Sequence, residues 1–187
     1  MLGLSNTITT SSAPSESAGP IQLASYTSDF STASNDGWGF NASNEVTITS
    51  NNDSVGGEDD VLKYDFTTDI STTRSITRVN TLASGGVVLG DTIEVTFKYR
   101  VERTGTETSN IIFTIRPGGY APSRNHAVSV TTSNFDTWFT ETHTFENPAA
   151  TSNDYFYISF ASSSSRPFNG DAIYFKDFVI THNGLAR

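Results

Sequence analysis

Short runs of alternating apolar and polar side chains constrain the fold of this chain more than any other feature. The clearest run is Thr92–Val101, in which Ile, Val, Phe, Tyr and Val alternate with Glu, Thr, Lys and Arg. Because successive side chains of a strand point to opposite faces, this alternation predicts an antiparallel strand with one buried face and one wet face. We find no segment with the apolar period of an amphipathic helix.

Similar runs recur along the whole chain. The last of them is apolar on both faces except at Lys176 and Asp177, which predicts a central strand. Gly, Asn and Asp cluster between the runs, as they do in turns. We therefore predict an all-β protein, an antiparallel β-sandwich of jelly-roll type with about ten strands. The predicted strands lie near Ile21–Tyr26, Glu45–Ser50, Val61–Thr67, Ser75–Leu82, Thr92–Val101, Asn110–Arg116, Ala127–Thr132, Thr137–Phe145, Tyr155–Ala161 and Ala172–Thr181.

The composition excludes several classes of protein. The chain has 187 residues, a formal net charge of -9 and no cysteine. This length fits one domain, and a chain without cysteine has no disulfide, no thiolate metal site and no cysteine nucleophile. With 11 Lys and Arg against 20 Asp and Glu, the chain has no basic cluster for binding nucleic-acid phosphates. Ser and Thr exceed a quarter of the residues, which gives a hydroxyl-rich surface.

The first twenty residues differ from the rest of the chain. We divide the sequence into a Ser/Thr-rich N-terminal arm, residues 1–20, and a β-jelly-roll domain, residues 21–187. The arm lacks the basic residues and the apolar run of a secretory signal, and no stretch of the chain has the roughly 20 apolar residues of a membrane helix. Its large apolar residues are Leu2, Leu4 and Ile8. It is either a disordered leader or linker, or an extended arm that becomes ordered against a neighbouring subunit.

Four segments resemble the carbohydrate-binding-module family of galactose-binding-like jelly rolls, and they occur in the family's order. In that family an acidic residue and Phe precede a Gly-Trp pair, two further strands with motifs of their own follow, and the terminal strand carries an acidic residue before an apolar pair. The resemblance covers about residues 21 to 182 and implies a jelly roll that hosts sugar-binding, adhesive or structural roles. The matching segments are Asp29–Phe40, Gly90–Val101, Phe135–Phe145 and Gly170–Ile180.

The resemblance also implies a structural Ca²⁺ bound between the first and last strands. The matching acidic residues are Asp29 and Asp177, and Asp36 and Asp171 lie in adjoining turns where they could add ligands. Ca²⁺ takes six to eight oxygen ligands, so several carboxylates are needed. The sequence has Asp-Phe-Ser where many relatives have Asp-Phe-Glu, so one expected carboxylate is missing. The alternative is that these aspartates form turns or are solvated, and the acidic run Gly56–Asp60 presents the same two choices.

A sugar site needs exposed aromatic rings with hydrogen-bonding side chains beside them. The matching tryptophans of the family mainly pack in the interior, so we expect Trp38 and Trp138 to do the same. Aromatic residues in loops are better candidates for sugar binding, although an aromatic ring next to proline can instead pack against neighbouring protein atoms. The candidate carbohydrate-binding residues are Tyr120, Arg124, Arg166, Phe168 and Asn169.

Catalytic motifs are missing from the sequence. No Gly-x-Ser-x-Gly elbow occurs, and His126, His143 and His182 are too far apart for metal-binding spacings such as H-E-x-x-H. His143 alternates with Glu141 on an apparent solvent face of a strand. We therefore interpret the protein as non-enzymatic.

Two functions remain open after these exclusions, with a small lyase or glycanase as a third. The first is a virion structural protein, such as a phage capsid-decoration, head-fibre or tail-associated protein, whose arm binds other virion proteins or copies of itself. It could also bind host-surface glycans. The alternative is an extracellular carbohydrate-binding module excised from a secreted polysaccharide-degrading enzyme. An arm that packs on other copies favours the first, and a soluble monomer retained by polysaccharide favours the second.

Overall fold

Two antiparallel sheets packed face to face form the domain. The computed structural model describes residues 19–186 except 33, 43, 52–53, 119–123, 147 and 161–163. In the part of the chain that it describes, no helix is long and apolar enough to cross a membrane. The strands are β1 (Ile21–Ser28), β2 (Gly39–Phe40), β3 (Val46–Asn51), β4 (Val61–Phe66), β5 (Arg74–Arg78), β6 (Thr92–Glu102), β7 (Ile111–Pro117), β8 (His126–Val130), β9 (Phe139–Glu146), β10 (Phe156–Phe160) and β11 (Ala172–Gly184).

The strand order confirms the predicted all-β sandwich. The six-stranded sheet has the order β3-β4-β11-β6-β9, with β1 also paired to β11, and the five-stranded sheet has the order β2-β5-β10-β7-β8. Strand β11 lies between β6 on one side and β4 and β1 on the other, so the prediction that it is central is confirmed. All ten predicted strands are present within a few residues. The strand that the sequence did not predict is β2, whose two residues are too few to show any period.

A bulge in β11 divides its pairing between two neighbours. Ala172–Phe175 pairs with β4, and the residues from Phe178 onward pair with β1. The register with β6 shifts between Lys176 and Val179, and Asp177 within the shift has a positive φ of 53°. The two ends of the domain meet on the far side of this bulge, where Ile21 pairs with Gly184.

Aromatic rings fill the space between the sheets. Trp38 stacks on Phe178 with ring centroids 4.4 Å apart, and Phe178 stacks on Phe97 at 5.0 Å. All three side chains are fully buried, which confirms the expectation that Trp38 packs in the core. The large apolar area removed from water by such rings is the main stabilising contribution to a sandwich of this kind.

Residues 54–60, which we name the Glu58 loop, cover part of the outer face of the six-stranded sheet. The Glu58 carboxylate accepts a hydrogen bond from Lys98 at 2.8 Å and lies 3.3 Å from Lys176. The bond from Lys98 holds the pKa of Glu58 below its usual value. Trp138 packs on Tyr174 of the same face and donates its Nε1–H to a backbone carbonyl of the loop at 2.7 Å. The acidic run Gly56–Asp60 is therefore fixed in part by lysines of the sheet beneath it.

Candidate functional site

The outer face of the five-stranded sheet carries an aromatic side chain that the Glu58 loop does not cover. Along β10, Phe156, Ile158 and Phe160 are fully buried between the sheets. Because strand side chains alternate between faces, Tyr157 and Ser159 point to the outer face. Tyr157 is half-buried there.

Hydroxyl groups and one guanidinium surround this tyrosine. Its neighbours across the sheet come from β5 and β7, and a second row of small hydroxyl residues follows one step further along the same strands. Thr77 and Thr114 are partly exposed and offer hydroxyl groups near the ring, whereas Ser75 and Ser159 are buried, with 9% and 6% of each residue exposed. The first row is Thr77, Tyr157 and Arg116, and the second row is Ser75, Ser159 and Thr114.

Two contacts hold the Tyr157 ring in place. The Arg116 guanidinium lies over the ring at 5.0 Å from its centroid, and the Tyr155 ring meets it edge-on at 4.9 Å. Burial, followed by a hydrogen bond with Tyr155, raises the pKa of Tyr157 to about 12. Its phenol therefore stays protonated at neutral pH and keeps both donor and acceptor capacity. We name this cluster, with Arg116, Tyr155 and Tyr157, the Tyr157 platform.

Arg124, one of the predicted sugar-binding residues, lies two residues before β8 and close to Gly118. Its side chain is buried, with 4% of the residue exposed. Within the described residues, its Nε and Nη1 have no hydrogen-bond partner. Burial and the neighbouring charge of Arg116 lower the pKa of Arg124. Tyr120, the predicted aromatic of this loop, lies outside the described residues, as do Leu2, Leu4 and Ile8 of the arm.

The other predicted sugar-binding residues lie beyond the opposite end of β10. The Phe168 ring is held between the guanidinium groups of Arg103 and Arg166, at 5.3 and 5.1 Å. The backbone N–H of Asn169 donates to Asp69 at 2.9 Å. This region therefore contains a packed loop, and a role in sugar binding for these residues stays a prediction.

A buried ion pair fixes the same loop. Arg103 donates to the Asp171 carboxylate from two nitrogens at 2.9–3.2 Å, and 3% and 1% of their side chains are exposed. Asp171 also accepts the N–H of Phe168 at 2.8 Å. Asp171, predicted as a calcium ligand, is thus already bound to an arginine.

The other three predicted calcium ligands line one cavity between the first and last strands. Asp29, Asp36 and Asp177 meet there in a space of about 310 Å³. Among the described residues, however, no group of three His, Asp or Glu side chains is arranged to hold a metal ion. Each carboxylate has a protein partner that an ion would have to displace. Asp29 accepts from the Ser31 N–H and hydroxyl, Asp36 accepts from the Ser28 hydroxyl, and Asp177 pairs with Lys98 at 3.3 Å.

The structure corrects the placement of His143. The sequence pattern put it on a solvent face, but the ring is half-buried at the edge between the two sheets. It stacks on His126 of β8 with ring centroids 3.8 Å apart, and its edge packs on Phe145. His126 in turn lies 2.8 Å from Glu141. The prediction failed because the edge strand β9 turns this face toward β8, which a single strand cannot reveal.

The His143 position predicts a pH dependence of stability. Burial, and then the charge of His126, lowers the pKa of His143 below its usual 6.5. As the pH falls below about 6.5, the unfolded chain takes up a proton that the folded protein does not bind, so stability decreases. We expect the melting temperature to fall between pH 8 and 5.5, by about 2 °C more in the wild type than in His143→Gln. Parallel curves in calorimetry would contradict this assignment.

His182 and Asp91 form a second buried pair. The backbone N–H of Ala83 donates to His182 Nδ1 at 3.0 Å, so the ring hydrogen lies on Nε2 and is donated to Asp91 Oδ2 at 2.8 Å. Asp91 Oδ2 also accepts the N–H of Val88 at 2.8 Å. The pair therefore fastens the loop before β6 to the end of β11.

The two antiparallel sheets form an all-β sandwich of jelly-roll type. No protein-family model matches the chain, and no curated protein matches it. Several solved structures share the fold at low sequence identity, which shows the fold alone.

Two of these structures are single modules of similar size. The apo structure of BiXyn10A CBM1 has a TM-score of 0.53 and 16% identity, over 84% of this chain and 97% of its own. The CBM22-1 xylan-binding domain of Xyn10C from Paenibacillus barcinonensis has a TM-score of 0.53 and 11% identity, over 87% and 95%. An arabinose-bound α-L-arabinofuranosidase, MgGH51, has a TM-score of 0.60 and 12% identity over 86% of this chain, which spans only 27% of the enzyme.

Proposed function

We propose that the protein is a non-catalytic polysaccharide-binding module that holds a glycan on the outer face of its five-stranded sheet. The observation that carries the proposal is the Tyr157 platform, a partly exposed aromatic ring with Arg116, Thr77 and Thr114 beside it on that face. A pyranose can stack its CH groups on such a ring while its hydroxyls bond to the surrounding polar groups.

The opposite face fits a glycan less well. The Glu58 loop covers part of it, and Lys98 and Lys176 beneath are already bound to that loop. The ring of Trp138 is engaged there by packing and by its hydrogen bond to the loop. The neighbouring structures support the choice of function, since one is a xylan-binding domain, and they favour the extracellular alternative of a module from a secreted polysaccharide-degrading enzyme.

A virion role rests on the N-terminal arm, of which the structure describes only residues 19 and 20. No observation on the described residues favours it, and the Tyr157 platform on the five-stranded sheet favours the alternative. Binding to host-surface glycans would use the same Tyr157 platform, so both readings share the sugar-binding step.

Affinity electrophoresis of the full chain tests the proposal. Native gels containing xylan, β-galactan, arabinan, polygalacturonate or alginate should each be compared with a gel that contains no polysaccharide. We expect retardation by at least one polymer and no release of reducing sugar from any of them. Unchanged mobility in every gel would remove the proposal, and sugar release would show an enzyme.

A structural Ca²⁺ in the cavity of Asp29 and Asp177 stays a prediction from the resemblance. A ligand that binds only the folded state stabilises it, and an ion at about 100-fold its Kd should raise the melting temperature by about 5 °C. We therefore expect EDTA to lower the melting temperature, CaCl₂ to restore it, and Asp177→Asn to abolish the difference. An identical melting temperature with and without EDTA would exclude the ion.

A further inference from the structure

We propose that the Tyr157 platform selects an acidic glycan, with Arg116 as the residue that binds the carboxylate of a uronic acid. This inference rests on the proposed function and names its ligand class. The platform combines a ring that can stack on a sugar with a guanidinium 5.0 Å from the ring centroid. A guanidinium presents donors that match the two oxygens of a carboxylate.

The position of Arg116 suits this role. Arg116 is one of the residues of β7 whose side chains point to the outer face, and the pairing of β7 with β10 places it directly opposite Tyr157. We infer that a sugar bound beside the ring turns its C5 substituent toward Arg116, the neighbouring side chain across the sheet. In a neutral hexose this substituent is a hydroxymethyl group, and in a uronic acid it is a carboxylate that the arginine can bind.

A second guanidinium, that of Arg124, adds positive charge near Arg116. Only 4% of Arg124 is exposed to solvent, and two of its side-chain nitrogens have no hydrogen-bond partner among the described residues. A Cβ at Gly118, the residue after β7, would lie 3.0 Å from Arg124 Nη1, so this guanidinium sits at the end of the strand that carries Arg116. The repulsion between the two cations decreases when an anion binds beside them.

Two arginines elsewhere in the domain have carboxylate partners. Arg74 pairs with Glu45 at 2.5 Å, and Arg103 pairs with Asp171 at 2.9 Å. Arg124 has no such ion pair within the described residues. A buried cation without a counterion is unfavourable unless a ligand supplies the charge. The chain as a whole is acidic, with a formal net charge of -9, so two neighbouring arginines contrast with the charge of the rest of the domain.

The test compares matched glycans that differ in charge. Titration calorimetry measures affinity for polygalacturonate, for the same polymer after reduction of its carboxyls to hydroxymethyl groups, and for a sulfated galactan. We expect the wild type to bind polygalacturonate at least ten-fold more tightly than its reduced form, and Arg116→Gln to abolish that preference. Arg116→Lys should restore part of it, and 0.5 M NaCl should reduce it. Equal binding of the sulfated galactan would identify the shared anionic charge, rather than the carboxylate, as the feature recognised and would overturn the uronate assignment.

Arg78→Gln is the matched control. Its guanidinium also lies over a tyrosine ring, that of Tyr26 at 5.1 Å, but on another edge of the sandwich. We expect it to keep the preference for charge. Melting curves identify variants that do not fold, and Arg124→Met gives a second, independent variant that should weaken the preference. If the wild type binds both polymers equally, this inference fails and the proposed function stands; if it binds neither these nor any neutral polymer, both fail.

Discussion

Replacing Asp171 with alanine is expected to lower the free energy of unfolding by about 3–5 kcal/mol, the largest effect of any single change considered. The Arg103 guanidinium would remain buried without its counterion, because only 3% of its side chain is exposed. Arg103 is also fixed by contacts that do not involve Asp171, with the rings of Phe135 and Phe168 at 5.2 and 5.3 Å. It therefore cannot easily turn outward to water. Urea denaturation at neutral pH measures the change.

Asp65→Ala is the matched control for this variant. Its carboxylate pairs with Lys63 at 2.7 Å, but 38% and 28% of the two side chains are exposed. Exposed ion pairs contribute about 0–1 kcal/mol, so this variant should be nearly as stable as the wild type. Replacing Arg103 and Asp171 together with Met and Leu should cost less than Asp171→Ala alone, because no charge is then left buried. Equal losses in Asp171→Ala and Asp65→Ala would show that burial of the pair is unimportant.

Tyr157→Ala is expected to weaken polysaccharide binding by about ten-fold or more, since residues at the centre of a binding surface supply most of the affinity. A ten-fold loss corresponds to about 1.4 kcal/mol. The outward side chain contributes little to the core, so the melting temperature should change by much less than in the Asp171 variant. Affinity electrophoresis on the best-bound polymer measures the loss.

Two further variants show whether the ring or the hydroxyl of Tyr157 supplies the affinity, and whether the glycan binds to the five-stranded sheet. Tyr157→Phe keeps the stacking surface and should retain most of the affinity. Trp138→Ala removes a larger ring from the opposite sheet and should leave the affinity within about two-fold of the wild type. A strong loss in Trp138→Ala with normal binding by Tyr157→Ala would move the site to the six-stranded sheet.

The strands could be predicted because the alternation of apolar and polar residues within one segment shows which of its side chains are buried. The run at Thr92–Val101 is long enough to show the period, and it corresponds to β6. Strand β2 could not be found, because Gly39–Phe40 forms only through its pairing with β5. His143 was misplaced for a related reason, since its burial comes from His126 on a strand of the other sheet.

The candidate site was only partly accessible from the sequence. The alternation of Tyr155 and Tyr157 with the buried residues of β10 places both tyrosines on the outer face, whereas the predicted binding aromatics, Tyr120 and Phe168, lie in loops. The position of Arg116 beside Tyr157 depends on the register between β10 and β7, which the sequence does not give. The pairing of Asp171 with Arg103 joins residues far apart in the chain, so it required the three-dimensional fold.

The pairing of Ile21 with Gly184 places the entry and exit of the domain side by side. Domains with adjacent ends tolerate circular permutation, so a short linker from Gly184 to Ile21 should allow the chain to be opened in an exposed loop elsewhere. The shared corner belongs to the six-stranded sheet, in the layer opposite the Tyr157 platform. A fluorophore, a bead or a second domain attached at either end would therefore leave the platform free to lie flat on an extended polymer.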